Sequence, residues 1–157
     1  MVKAPLQPYK TGDFMDIREI TWGDGDYARA VVLRNDVLSL PRGRTIFDFD
    51  FKTEKTQLHF AAFDGERVVG SLTLMPENAG RCHMRQVAVE PAMRGTGIGK
   101  ALVEYAESEA KRRGYTEITL DSRDGALGFY QRLGYRICGV PRKPAPDLTL
   151  TPMCRQL

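Results

Sequence analysis

The chain has 157 residues, 42% of them hydrophobic and 27% charged, with a formal net charge of +3; this balance fits one globular domain around a single core. So small a basic excess gives no reason to expect nucleic acid or a membrane surface as partner, and no apolar run approaches the roughly 18 residues that cross a bilayer. Cys82, Cys138 and Cys154 have neither metal-ligand nor redox spacing, so neither a metal nor a disulfide framework is expected, and a reducing cytoplasm is the expected compartment.

Residues 1–14 carry Pro5 and Pro8 and little periodicity, and read as a flexible lead-in to a single domain over residues 15–157. Asp16–Ile20 predicts a first strand, which Gly23–Asp26 breaks while supplying a helix cap. Apolar positions at Tyr27, Ala30, Val31, Val37 and Leu38, with Arg29 and Arg34 outside, predict an amphipathic helix from Tyr27 to Leu38. Ser39–Lys55 then reads as a polar loop holding Phe47, Phe49 and Phe51, and loops of that length are uncommon unless they serve function. Leu58–Phe63, the turn Asp64–Gly65 and Val68–Leu74 predict a hairpin. A turn over Pro76–Gly80 leads to a strand over Cys82–Val89, where a period of two would put residues 83, 85, 87 and 89 on one face.

After that strand comes Arg94-Gly95-Thr96-Gly97-Ile98-Gly99-Lys100, followed by helical spacing at Ile98, Leu102, Tyr105, Ala106 and Ala110 and a stop at Gly114. Three glycines in five positions permit a tight turn with no Cβ to obstruct a ligand, and the helix N-terminus offers unpaired N–H groups to an anion. A P-loop would need glycine where Arg94 stands and a hydroxyl where Ala101 stands. The dinucleotide fingerprint would need glycine at Lys100 or at Leu102. Arg-x-x-Gly-x-Gly, formed by Arg94, Gly97 and Gly99, is what remains. Further on, Glu117–Leu120 predicts a strand feeding Asp121–Tyr135, a short helix bearing Phe129 and Tyr130 and then Leu133-Gly134-Tyr135; a last strand follows near Asp147–Met153.

The glycine loop resembles the pyrophosphate-binding motif of the GNAT superfamily of N-acetyltransferases, and the Phe-Tyr helix resembles that family's C-terminal signature. Leu33-Arg34, Val37-Leu38 and the Pro41-Arg42-Gly43 that follow are similar to a branch of small bacterial, single-domain members. From Asp16 onward the order of elements matches the family, which implies an α/β fold: a mixed, mostly antiparallel central sheet flanked by helices on both sides. The resemblance implies acetyl-CoA as co-substrate, with no metal. Arg94, Gly95, Thr96, Gly97, Ile98, Gly99 and Lys100 would wrap the pyrophosphate, and the main chain of Val87, Ala88 and Val89 would meet the pantetheine in a cleft left by a splayed strand. Phe129 and Tyr130 would lie along the coenzyme, with Tyr130 as the acid that protonates the departing thiolate. Asp124 stands where the family often has Asn, and an ionised carboxylate cannot donate that residue's hydrogen bond.

The general base is His83 on the functional reading and a surface strand residue on the structural one; His59, inside an alternating strand, reads as packed or hydrogen-bonded. Cys82 beside His83 lacks the third group that a thiol nucleophile needs. The implied partner is a small-molecule or peptide amine. Asp48, Asp50 and Glu54 hint at a cationic acceptor, while Arg136, Arg142 and Lys143 would border its site. Leu148–Met153 offers an edge for pairing across a homodimer. Two other readings remain: a non-catalytic coenzyme-binding module, and a nucleotide phosphotransferase, which lacks its magnesium ligand.

Overall fold

In the computed structural model, which describes residues 9–11 and 15–157, nine strands join one sheet. They are β1 (Tyr9–Thr11), β2 (Met15–Ile20), β3 (Leu58–Asp64), β4 (Arg67–Asn78), β5 (Arg81–Val89), β6 (Glu117–Arg123), β7 (Arg136–Ile137), β8 (Arg142–Ala145) and β9 (Leu148–Gln156). The order is β1-β2-β3-β4-β5-β6-β9-β7, with β8 also on β9. Only β5–β6 is parallel among these pairs, and α2 (Ile98–Arg112) makes the crossover between them. Within the stretch expected as a lead-in, Tyr9–Thr11 pairs antiparallel with Met15–Ile17; the rest of that stretch lies outside the described residues.

Alternation along β3 builds a core on each face. Phe60 and Ala62 join the larger core with Leu72, Leu74, Cys82, Met84, Leu102, Val103 and Ala106, beneath α2. Ala61 and Phe63 turn the other way, onto Tyr27, Ala30, Val31 and Leu33 of α1 (Gly25–Arg34). Asp24 caps α1, its Oδ1 accepting the Tyr27 N–H at 2.8 Å. At the far end of α2, Gly114 takes φ +95°, with Gly114 N–H donating to Lys111 O and Tyr115 N–H to Ala110 O. That is a Schellman cap, which a residue with a Cβ adopts only under strain.

Three expectations change. The first helix ends at Arg34 and continues as a wider π turn over Asn35–Ser39. Arg34 is not on the outer face but 2% exposed, paired with Glu54, which is wholly buried. The long loop is a chain of short 3-10 turns, pinned where Ile46 N–H donates to Asn35 Oδ1 and Trp22 Nε1–H to Phe51 O. Finally, β9 is an interior strand, with β6 on one edge and β7 and β8 on the other, so it offers no free edge to a second copy.

Candidate active site

The parallel pairing of β5 with β6 runs from Arg81–Glu117 to Met84–Leu120 and stops there, although β5 continues to Val89 and β6 to Arg123. The two strands part, and a cleft of about 410 Å³ opens between them. Its walls include His83, Val87, Asp121, Ala126 and Tyr130. Two residues predicted for catalysis, His83 and Tyr130, therefore meet in one cavity although 47 positions separate them in sequence.

A β-bulge shapes the β5 wall. Between the Thr73–Arg85 and Ser71–Ala88 pairs, β5 carries one residue more than β4, and Gln86 takes φ +55°, the only non-glycine with positive φ among the described residues. The extra residue reverses the alternation. Cys82 and Met84 lie in the larger core, yet Ala88 lies in the α1 core while Val87 and Val89 pack toward the larger one. Residues 83 and 85 therefore do not share a face with 87 and 89, against the simple period of two. Glu90 N–H donates to Val69 O at 2.8 Å beside the Val89–Gly70 pair, which marks that pair as one whose own N–H and C=O point away from β4. The Val89 main chain thus faces the parted side.

At the end of β5, Gly95 and Gly97 take φ +79° and +88°, and a Cβ on either would meet nothing within 4 Å. Glycine is needed there for its backbone, and the space beside it is open. Gly97 caps α2 with no side-chain hydrogen bond and no acid in the first turn, and the first intrahelical bond is Ala101 N–H to Gly97 O. The N–H groups of Ile98, Gly99 and Lys100 are left facing out, as an anion site requires. Arg94, Gly95, Thr96, Gly97 and Lys100 are exposed; the Ile98 side chain is a core anchor, so only its main chain can serve a ligand. Gly99 is a close-approach position, its would-be Cβ 3.4 Å from Phe129.

Tyr130 sits on α3 (Leu127–Arg132), which Gly134 ends at φ +92° with Gly134 N–H donating to Gln131 O and Tyr135 N–H to Tyr130 O. This second Schellman cap folds Tyr135 back over Tyr130, ring centroids 5.8 Å apart, and Phe129 flanks it at 5.1 Å. The Leu-Gly-Tyr of the sequence is thus the device that fixes Tyr130. Burial pushes the Tyr130 hydroxyl up to about 12, so at neutral pH it is a proton donor. Asp124 opens the turn before α3 and is exposed.

His83 Nδ1 lies 2.7 Å from Thr119 Oγ1, and Nε2 lies 3.5 Å from Asp121 Oδ2. Burial lowers its pKa, against Asp121 and Glu77, which raise it. Asp121 is in turn held by two hydrogen bonds from Arg142, of 2.9 and 3.0 Å, and these keep its carboxyl below the usual range. Asp121 and Thr119 were not legible as partners of His83, because the parallel register that aligns them depends on the α2 crossover. His59 is buried, bonded to Thr73 Oγ1 and the Glu54 carbonyl, and is structural. Cys82 is buried and its thiol pushed up to about 12, an inert group. Asp48, Asp50 and Glu54 do not line the cleft; Arg142 does, while Arg136 and Lys143 stand outside it. Among the described residues no His, Cys, Asp or Glu cluster fits a metal ion, and no helix is long and apolar enough to cross a membrane.

Residues 16–135 match the Acetyltransferase (GNAT) family. A peptidyl-lysine N-acetyltransferase, YjaB, of Salmonella typhimurium is 35% identical over 106 residues, covering 64% of this chain and 68% of that protein. A glucosamine 6-phosphate N-acetyltransferase of Trypanosoma brucei brucei is 38% identical over 76 residues, which are 45% of this chain and 52% of that protein, about half its length. A crystal structure from Lactobacillus plantarum superposes with a TM-score of 0.82 at 26% identity, covering 92% of this chain and 99% of that one. A GNAT family acetyltransferase from Elizabethkingia anophelis, solved with acetyl-CoA bound, shares the fold at a TM-score of 0.69 and 17% identity, covering 92% and 99%.

Proposed function

The chain belongs to the GNAT acetyltransferase family, and from that premise we propose that it transfers the acetyl group of acetyl-CoA to a primary amine by direct attack in a ternary complex. One observation carries the reading: the parting of β5 from β6 puts His83, the bulged segment of β5 and Tyr130 around one cleft, and the same strand β5 leads on to the unprotected N-terminus of α2. Acetyl-CoA supplies the activated acyl group. Its uncapped helix end, two left-handed glycines and flanking Arg94 and Lys100 fit this chain to a pyrophosphate.

The chain's own groups then have assignable roles. The Val89 main chain, which faces the parted side, and that of Val87 in the bulge before it act as fixed dipoles, where an oxyanion would gain most. His83, neutral at pH 7 because burial lowers its pKa, takes the proton of the attacking amine. As the new C–N bond forms and the C–S bond breaks, Tyr130 gives its proton to the departing thiolate.

Release of free coenzyme A thiol from acetyl-CoA, measured over polyamines, amino acids, aminosugars and short peptides, tests the reading. Turnover with one class establishes the transferase. Saturable acetyl-CoA binding with no thiol release over the whole panel would favour a coenzyme-binding module instead.

A further inference from the structure

The cleft is more cationic than acetyl transfer to a simple amine requires. Arg85, Arg123 and Arg142 line it against a single carboxylate, Asp121, which Arg142 occupies through both its oxygens. Arg85 is half-buried two residues beyond His83 on β5, and among the described residues its guanidinium bonds only the Met75 sulfur, at 3.8 Å. The Arg123 side chain, at the end of β6, has neither a hydrogen bond nor an ion pair among the described residues. Its neighbours are Arg42 and Asp147, and Asp147 is already bound to Arg42 at 2.9 Å. Two arginines thus line one cavity, one half-buried and one exposed, and neither guanidinium has a carboxylate of its own among the described residues.

The coenzyme gives no reason for them. The loop from Arg94 to Lys100, which suits its phosphates, contributes nothing to the cleft wall, and the pantetheine arm is uncharged. Leu38, Met84, Leu120, Leu148 and Leu150 give the cleft its apolar walls. About 410 Å³, shared with the acyl end of the coenzyme, suits a small molecule.

Resting on the transferase reading above, we propose that the acceptor is a small amine that also carries an anionic group, a carboxylate or a phosphate, held by Arg85 and Arg123 while its nitrogen meets His83. Guanidinium forks are suited to both anions, so the chemistry of the pocket is shared and the source is decided by test. The acids of the Ser39–Lys55 loop give no counter-argument, since none lines the cleft.

The test uses matched pairs: L-leucine against L-leucinamide for the carboxylate, and phosphoethanolamine against ethanolamine for the phosphate. Each is titrated calorimetrically into the coenzyme A-loaded protein and assayed for thiol release with acetyl-CoA. The expected result is tighter binding of the acidic member of one pair by about tenfold or more, which identifies the anion. Arg85→Gln and Arg123→Gln should each remove most of that preference while acetyl-CoA binding and the melting temperature hold. Equal binding within both pairs, preference for the neutral members, or a preference untouched by both substitutions overturns the proposal. Selective, arginine-dependent binding would uphold the anion site even if no thiol were released from any amine of the full panel, an outcome that overturns the transferase reading alone.

Discussion

Arg34 and Glu54 meet between α1 and the loop that follows it through two hydrogen bonds of 2.8 Å, with 2% and 0% of their side chains exposed. Tyr27 donates a third bond to Glu54 at 2.7 Å, and the Glu54 carbonyl bonds His59. The far end of the loop is thereby clamped to the sheet face beneath α1. Breaking a buried pair by removing one partner leaves the other charge stranded, at about 3–5 kcal/mol. Glu54→Gln should lower unfolding stability by that order at pH 7, read by urea denaturation. Arg34→Met combined with Glu54→Leu should recover most of the loss. If Glu54→Gln costs under about 1 kcal/mol, the clamp is not what holds the loop.

The same pair sets an acid limit. Burial pushes the Glu54 carboxyl up, but the bonds and charge of Arg34, with Tyr27, outweigh it and leave it below its ordinary value. A depressed carboxyl contributes stability that is complete above its unfolded pKa, about 4.3, and is lost as pH falls through the folded value. The wild-type advantage over Glu54→Gln should shrink below about pH 4. An advantage independent of pH down to 2 would show that Glu54 does not titrate with unfolding.

His83 should control the acid limb of kcat/KM. Burial lowers its pKa, Asp121 and Glu77 oppose that, and Arg85 and Arg142 add to it; Thr119 is its hydrogen-bond partner. The limb should fall with a midpoint below the ordinary 6.5. His83→Gln should lower kcat by about a hundredfold or more and flatten that limb. Asp121→Asn removes an influence that raises the pKa and frees Arg142, so the midpoint should move to still lower pH. An unchanged limb in His83→Gln would pass the role of base to another group.

Tyr130→Phe removes one oxygen and keeps the ring that packs against Phe129 and Tyr135. Turnover should fall by about a hundredfold, within the usual range for a general acid. Acetyl-CoA affinity, measured by calorimetry, and thermal stability should stay nearly constant. Turnover within twofold of wild type would leave Tyr130 as a packing residue.

What the sequence made legible was local. The glycine loop, the α2 spacing with Gly114 and the Leu133-Gly134-Tyr135 cap each act within a few residues, so their spacing carries the geometry. Asp64-Gly65 marked its hairpin for the same reason. Arg34 misled because its partner lies 20 positions away in a loop with no periodicity, and an arginine on a helix reads as solvated. The short β7 and β8 lie among Gly139, Pro141, Pro144 and Pro146, residues that signal turns. Arg85 and Arg123 became neighbours of one cavity only when β5 and β6 parted.

Gln86 carries no sequence mark of the bulge that it makes, since glutamine has no preference for positive φ. A left-handed conformation costs a non-glycine residue about 1–2 kcal/mol, while glycine loses about 0.5–1 kcal/mol more backbone entropy on folding. The two offset, so Gln86→Gly should leave stability unchanged or slightly raised. Gln86→Val cannot reach φ +55° without greater strain, because its β-branch crowds the backbone. It should lose about 1–3 kcal/mol. The functional contrast is sharper. If the bulge is what turns the Val89 main chain toward the parted side, Gln86→Val should weaken acetyl-CoA binding and Gln86→Gly should not. Urea denaturation and calorimetric titration of both variants give the answer, and equal coenzyme affinity in the two would separate the bulge from coenzyme recognition.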